Sequence, residues 1–107
     1  MITLSSHILD TTLGKPAAGL SISLYHPDGQ ISNAITDQDG RCKNWGDIPL
    51  VAGTYQLRFH CQDYLITEHG KSFYPHIDIH FFMEEGGGHY HVPLLISPFG
   101  YSSYRGS

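Results

Sequence analysis

Along Gly53–Cys61, hydrophobic and polar positions alternate residue by residue. Tyr55, Leu57, Phe59 and Cys61 fall on one side, and Thr54, Gln56, Arg58 and His60 on the other. Successive side chains of an extended strand point to opposite faces, so a period of two predicts a half-buried strand. The same period runs through LSISLYH, with Leu20, Ile22 and Leu24 on one face, and through HIDIHF, with Ile77, Ile79 and Phe81. Near the amino terminus Ile2, Leu4 and Ile8 share a face, which turns Thr3, Ser5 and His7 outward. In HYHVPLLI, His89 and His91 project together, opposite Tyr90, Val92 and Leu94. Pro93 cannot donate to a ladder, which predicts an edge or a distorted position there.

Turn chemistry separates these runs: LGKPAAG, HPDGQ, DQDG and EEGGGH are all rich in Gly, Pro and Asp. The glycines of EEGGGH lead into a strand pattern rather than a helix start, so this stretch is expected to be a hairpin connection and not a phosphate loop. Only DYLITEHGKSF has room for a short helix. The sum is an all-β sandwich of about seven or eight short strands with one short helix.

A chain of 107 residues is expected to form a single domain over residues 1–107, large enough for a core without disulfide staples. The net charge of -4 and six scattered Lys and Arg leave no basic stripe for a phosphate backbone, which argues against nucleic acid as a partner. MITLSSHILD lacks the pattern of a secretory signal, and no long apolar run suggests a membrane span, so a soluble cytoplasmic protein is expected. Cys42 and Cys61 are then expected to stay reduced, with Cys61 in the core.

Eight histidines change this plain picture, because imidazole is the side chain most readily poised for proton transfer or metal binding near neutral pH. His7 faces outward from the first strand. His89 and His91 could form half of a divalent-metal site, though no carboxylate or cysteine that would complete it is identifiable. Arg41 follows the TDQDG turn, in which Asp37 and Gly40 serve the bend. His76, Asp78, His80 and Phe82 share another face, expected to be solvated or an interface. No G-x-S-x-G nucleophile motif is present.

Read together, SSHILDTTLGKPAAGLSISLY, TDQDGR, FYP and HYHVPLLISPFGYSSYRGS resemble the 5-hydroxyisourate hydrolase family, the transthyretin-related proteins of urate degradation. The resemblance runs from Ile2 to Ser107, and the terminal YRGS is its most specific element. It departs from the family's pattern at His76, where an acidic residue is common, and in its glycine-rich GGG loop.

The resemblance implies a transthyretin-like (prealbumin-like) sandwich of two four-stranded antiparallel sheets. It also implies a homotetramer with active sites where dimers meet. Site residues carry over onto His7, Arg41, His91, Tyr104, Arg105, Gly106 and Ser107, with the tail ordered against the site. The implied reaction is ring opening of 5-hydroxyisourate at its N1–C6 amide, giving 2-oxo-4-hydroxy-4-carboxy-5-ureidoimidazoline, with no cofactor and no metal. His7 and His91 would serve as general base and acid, Arg41 would hold substrate oxygens and stabilise negative charge, and Ser107 would orient a histidine or water. Tyr104, Arg105 and Gly106 would line the substrate pocket together with His7 and Arg41. Which histidine is the base stays open at this level. A transthyretin-like carrier of a small ligand, or a zinc-binding sandwich without turnover, are the competing expectations.

Overall fold

The computed structural model describes residues 1–107. In chain order it contains β1 (Thr3–Asp10), β2 (Lys15–Pro16), β3 (Ser21–Tyr25), β4 (Ile31–Ile35), β5 (Arg41–Cys42) and β6 (Gly53–His60). These are followed by α1 (Gln62–His69), β7 (Ile77–Met83), β8 (His89–Ser97) and β9 (Gly100–Ser103). One sheet has the order β4-β3-β6-β7 and is antiparallel throughout. The other runs β2-β1-β8-β9, with β5 also paired to β1.

The transthyretin-like sandwich stands, but two details of its expected sheets are corrected. The second sheet counts five strands, because β5 pairs antiparallel with Ser6 and His7 of β1 while β2 pairs with Leu9 and Asp10. It is also mixed, since β1 and β8 run parallel from Thr3↔His89 to Asp10↔Ile96. Parallel strands need a long crossover, and here almost the whole chain lies between the two. Alternation within each strand carries no information about that direction.

The predicted inward faces pack the core. Leu4 and Ile8 of β1 meet Leu20, Ile22, Leu24, Tyr55, Leu57, Phe59, Leu94 and Ile96, all nearly or fully excluded from solvent. Each such side chain stabilises the fold by about 1.5–3 kcal/mol on burial. Ile79 and Phe81 also face inward yet stay half-exposed, because β7 is an edge strand. Trp45 is buried as well, and its indole N–H donates to the Leu4 carbonyl at 2.8 Å, pinning the segment after β5 to β1.

The expected helix forms, although eight residues are too few to be stable alone. Gly70 ends it in the left-handed region (φ 79°) with its N–H on the Ile66 carbonyl. Leu65 is its one buried side chain, and a polar knot supplies the rest of its anchorage. The fully buried Asp10 carboxylate lies 2.9 Å from Tyr64 Oη and 2.7 Å from His69 Nε2, and it accepts the Thr12 and Leu13 N–H groups. Burial pushes the Asp10 carboxyl up, but the hydrogen bonds from His69, Leu13 and Tyr64 outweigh it and leave the group below its usual range.

Of the two positions expected from Pro93, an edge or a distorted one, the edge is not what forms, and the ladder is instead interrupted locally beside Pro93. β8 lies between β1 and β9. The carbonyls of His91 and Pro93 both turn toward the returning carboxyl-terminal segment, accepting Gly106 N–H at 2.7 Å and Ser103 Oγ–H at 2.8 Å. In a strand a residue's N–H points the same way as its C=O, so the N–H that proline lacks falls in the gap between the end of β9 and Gly106.

Candidate active site

His7, Arg41 and His91 come together through strand register. His7 lies opposite Arg41 in the β1–β5 pair, and Ser5, one outward position earlier, lies opposite His91 in the β1–β8 pair. Buried Leu4, Ser6 and Ile8 alternate with these positions, which holds Ser5 and His7 on the outer face.

The TDQDGR turn places Arg41. Asp37 Oδ1 accepts the Asp39 and Arg41 N–H groups at 2.9 Å each, and Asp37 N–H reaches the Arg41 carbonyl. Gly40 is required here: its φ is +73°, and a Cβ would stand 2.6 Å from the Ile8 carbonyl oxygen. Its own carbonyl accepts Ile8 N–H, so the turn lies flat on β1 and delivers Arg41 beside His7. The Arg41 and Asp39 N–H bonds, with the charges of Arg41 and His7, hold the Asp37 carboxyl below its usual range.

A cleft of about 380 Å3 opens on this face, lined by Ser5, Asp37, Arg41, Lys43, His89 and His91 among others. That is within the roughly 300–1,000 Å3 typical of small-molecule sites. A larger groove lies elsewhere, between the β7 and β9 edges, walled by Ile79, Phe81, Val92 and Tyr101. Convergent polar groups are in the smaller cleft, which makes it the candidate site.

His91 is half-buried, and its Nδ1 lies 2.7 Å from Ser5 Oγ. This leaves Nε2 for a bound molecule. Burial, followed by the positive charge of Arg41 and the neighbouring His7 and His89, lowers its pKa below that of a free imidazole. It is therefore a neutral base at pH 7. Burial pushes the Cys42 thiol on the same cleft up to about 11, so it is no nucleophile at neutral pH. Cys61 is likewise buried, and both cysteines are free.

The carboxyl-terminal segment divides between two faces. Gly106 crosses His91, so close that a Cβ on it would stand 2.5 Å from His91 Cδ2. Arg105 instead turns its guanidinium over the Tyr90 ring, 4.3 Å from the centroid, and Tyr104 is exposed. Both line the β7–β9 groove rather than the cleft of Arg41 and His91. Ser107 follows Gly106 and is exposed. No three His, Cys, Asp or Glu side chains of the chain are grouped closely enough to hold a metal ion.

The sequence paired His89 with His91 on one face and turned Thr3 and Ser5 outward, but gave no sign that the two pairs meet. His89 Nδ1 lies 2.6 Å from Thr3 Oγ1, and its Nε2 lies 2.9 Å from Ser5 Oγ. Alternation had turned all three outward, but only the parallel register sets Thr3 against His89 and Ser5 against His91.

Fold and cleft together define a transthyretin-type sandwich whose outer sheet face carries a histidine and arginine site. The chain belongs to the HIUase/transthyretin family, whose model matches residues 4–106. It is 48% identical to the 5-hydroxyisourate hydrolase of Mesorhizobium japonicum, over 97% of this chain and 91% of that protein. The solved structure of Klebsiella pneumoniae 5-hydroxyisourate hydrolase matches with a TM-score of 0.86 at 38% identity, covering 100% of both chains. Transthyretin from Sparus aurata matches with a TM-score of 0.87 at 28% identity, over 97% of this chain and 96% of that one.

Proposed function

We propose that this chain hydrolyses 5-hydroxyisourate to 2-oxo-4-hydroxy-4-carboxy-5-ureidoimidazoline in urate degradation. The observation that carries the reading is the gathering of His7, Arg41 and His91 on one outward face by the β1–β5 and β1–β8 registers. The relatives named 5-hydroxyisourate hydrolase support the same substrate.

His91, neutral and with Nε2 unengaged, takes the proton of the attacking water. Arg41 makes no ion pair with a carboxylate of the chain, so its donor fork is left for substrate oxygens and for the oxyanion that forms at the ring carbonyl. His7, beside Arg41, orients water or substrate, and the ring nitrogen leaves with the proton that His91 returns. Gly106 keeps the tail close to the His91 ring, with Ser107 beyond it to orient water.

Four copies assemble in this reading, with their clefts where dimers meet. Two edge strands support it: β7 and β9 both end their sheets, and Phe82, Tyr101 and Tyr104 on or just after them are exposed. Tyr104 and Arg105 stand on that side, and they would contribute to substrate binding at the junction between copies. The buried free thiols suit the reducing cytoplasm, and no helix is long and apolar enough to cross a membrane.

The test follows ultraviolet decay of freshly generated 5-hydroxyisourate with chelator-treated protein, beside a variant lacking Tyr104 to Ser107. Decay well above buffer that the truncated variant loses supports the reading and the part of the tail in it. Saturable binding without turnover would replace the hydrolase with a carrier, and activity restored only by added zinc would replace the metal-free scheme.

A further inference from the structure

The outer ends of β1 and β8 carry four polar side chains in one line: Thr3 Oγ1 to His89 Nδ1 at 2.6 Å, His89 Nε2 to Ser5 Oγ at 2.9 Å, and Ser5 Oγ to His91 Nδ1 at 2.7 Å. Every contact is short enough for a strong hydrogen bond. The line is also continuous, because both nitrogens of His89 are used. It ends at one side on solvent-exposed residues, Thr3 and His89, and at the other on half-buried His91 in the cleft.

We propose that this line is a proton relay, in which Ser5 and His89 are positioning residues that hold His91 with Nδ1 protonated and Nε2 free, and carry positive charge from the cleft to the surface. The proposal rests on the hydrolase reading for its use, but not for its existence.

Proton counting allows one consistent direction for the resting base. His91 Nδ1–H donates to Ser5 Oγ, Ser5 O–H donates to His89 Nε2, and His89 Nδ1–H donates to Thr3 Oγ1. When His91 Nε2 takes a proton from water, the water O–H breaks and hydroxide adds to the substrate carbonyl. The Nδ1 proton then passes to Ser5 Oγ while the Ser5 hydroxyl proton passes to His89 Nε2. The serine hydroxyl is regenerated, His91 is neutral with its proton on Nε2, and the positive charge sits on His89. Reversal of the relay restores the His91 cation, and its Nε2 proton leaves with the ring nitrogen.

Charge placement gives the relay its purpose. Arg41 from β5 and His7 from β1 face His91, and both oppose a second positive charge there. Lys43 also lines the cleft, with Asp37 as its one carboxylate. Exposed His89 can take the charge in water, although Arg105 stands near its carbonyl at 3.4 Å. Two imidazoles joined through one hydroxyl then share one charge along the line.

Ring nitrogen NMR of His89 and His91 across pH 5–8, on wild type, Ser5→Ala and Ser5→Thr, tests this without reference to turnover. The expected result is a His91 resonance pattern with Nδ1 protonated in wild type, with both rings reporting both titration steps. Ser5→Ala should uncouple the titrations and mix the His91 tautomers, and Ser5→Thr should restore the wild-type pattern. In the decay assay Ser5→Ala should lower kcat about tenfold or more with KM within about twofold, and Ser5→Thr should recover most of it. A His91 tautomer and titration unchanged by Ser5→Ala would overturn the relay, whatever the activity. A normal NMR pattern in a protein that does not accelerate substrate decay would retain the relay and sink the hydrolase.

Discussion

Gly106 and His91 show how little space a single residue of this site has. A methyl group on Gly106 would meet His91 Cδ2 at 2.5 Å, and the tail could relieve that contact only by leaving the ring or turning it. Gly106→Ala should therefore lower kcat by about 10²-fold, the scale of a displacement of roughly 1 Å, while the melting temperature stays close to wild type. Steady-state kinetics beside a thermal melt checks both halves. His91 itself carries a second prediction. Burial and its positively charged neighbours lower its pKa, so the base form persists to lower pH than in free histidine. The acid limb of kcat/KM should fall below the ordinary histidine value of about 6.5. Arg41→Gln, which removes one of those charges, should move the limb upward as it lowers kcat about 10²- to 10³-fold.

At the scale of elements, the Asp10 knot joins the end of β1 to α1, a helix with only Leu65 buried. Asp10→Ala removes one partner of a buried cluster and should destabilise the fold by about 3–5 kcal/mol. The pH dependence has a definite sign. The folded-state pKa of Asp10 lies below its unfolded value of about 3.9, so its contribution is complete above that pH and is lost as pH falls through the folded value. In urea melts the gap between wild type and Asp10→Ala should be widest at pH 7 and narrow steadily as pH is lowered below about 3.9. The faces of these elements were legible in the sequence: period-two alternation put Leu4 and Ile8 inside and His7 outside, and DYLITEHGKSF held the helix. Direction and neighbours were not. Nothing in the pattern of β1 or β8 says that they pair in parallel across most of the chain, so the meeting of Ser5 with His91 was invisible. Pro93 suggested an edge or a distorted position because a missing N–H is tolerated at either, and the gap beside β9 accommodates it within the sheet. The roles of His7, Arg41 and YRGS came from family resemblance, since neither composition nor spacing distinguishes a catalytic histidine from a solvated one.

The whole molecule carries its histidine and arginine cleft on an outer sheet face and its apolar groove between the β7 and β9 edges. Large aromatic side chains line that groove: Phe82 is 61% exposed on edge strand β7, and Tyr104 is 60% exposed beyond β9. In the proposed assembly, a partner seated over the outer sheet face would shield the histidine site there from bulk water. If copies join through this edge as proposed, Phe82→Asp should shift the sedimentation of the protein to smaller species and reduce activity with it, and an unchanged mass would remove this edge from the interface. In the proposed reaction His91 is the base of a water-driven ring opening. The most direct test of that role is the first-order decay of freshly generated 5-hydroxyisourate at pH 7, compared between wild type and His91→Ala of equal fold and assembly. The expected result is acceleration by the wild type and a loss of about 10²- to 10⁴-fold in the variant. Equal acceleration by the two proteins would contradict it.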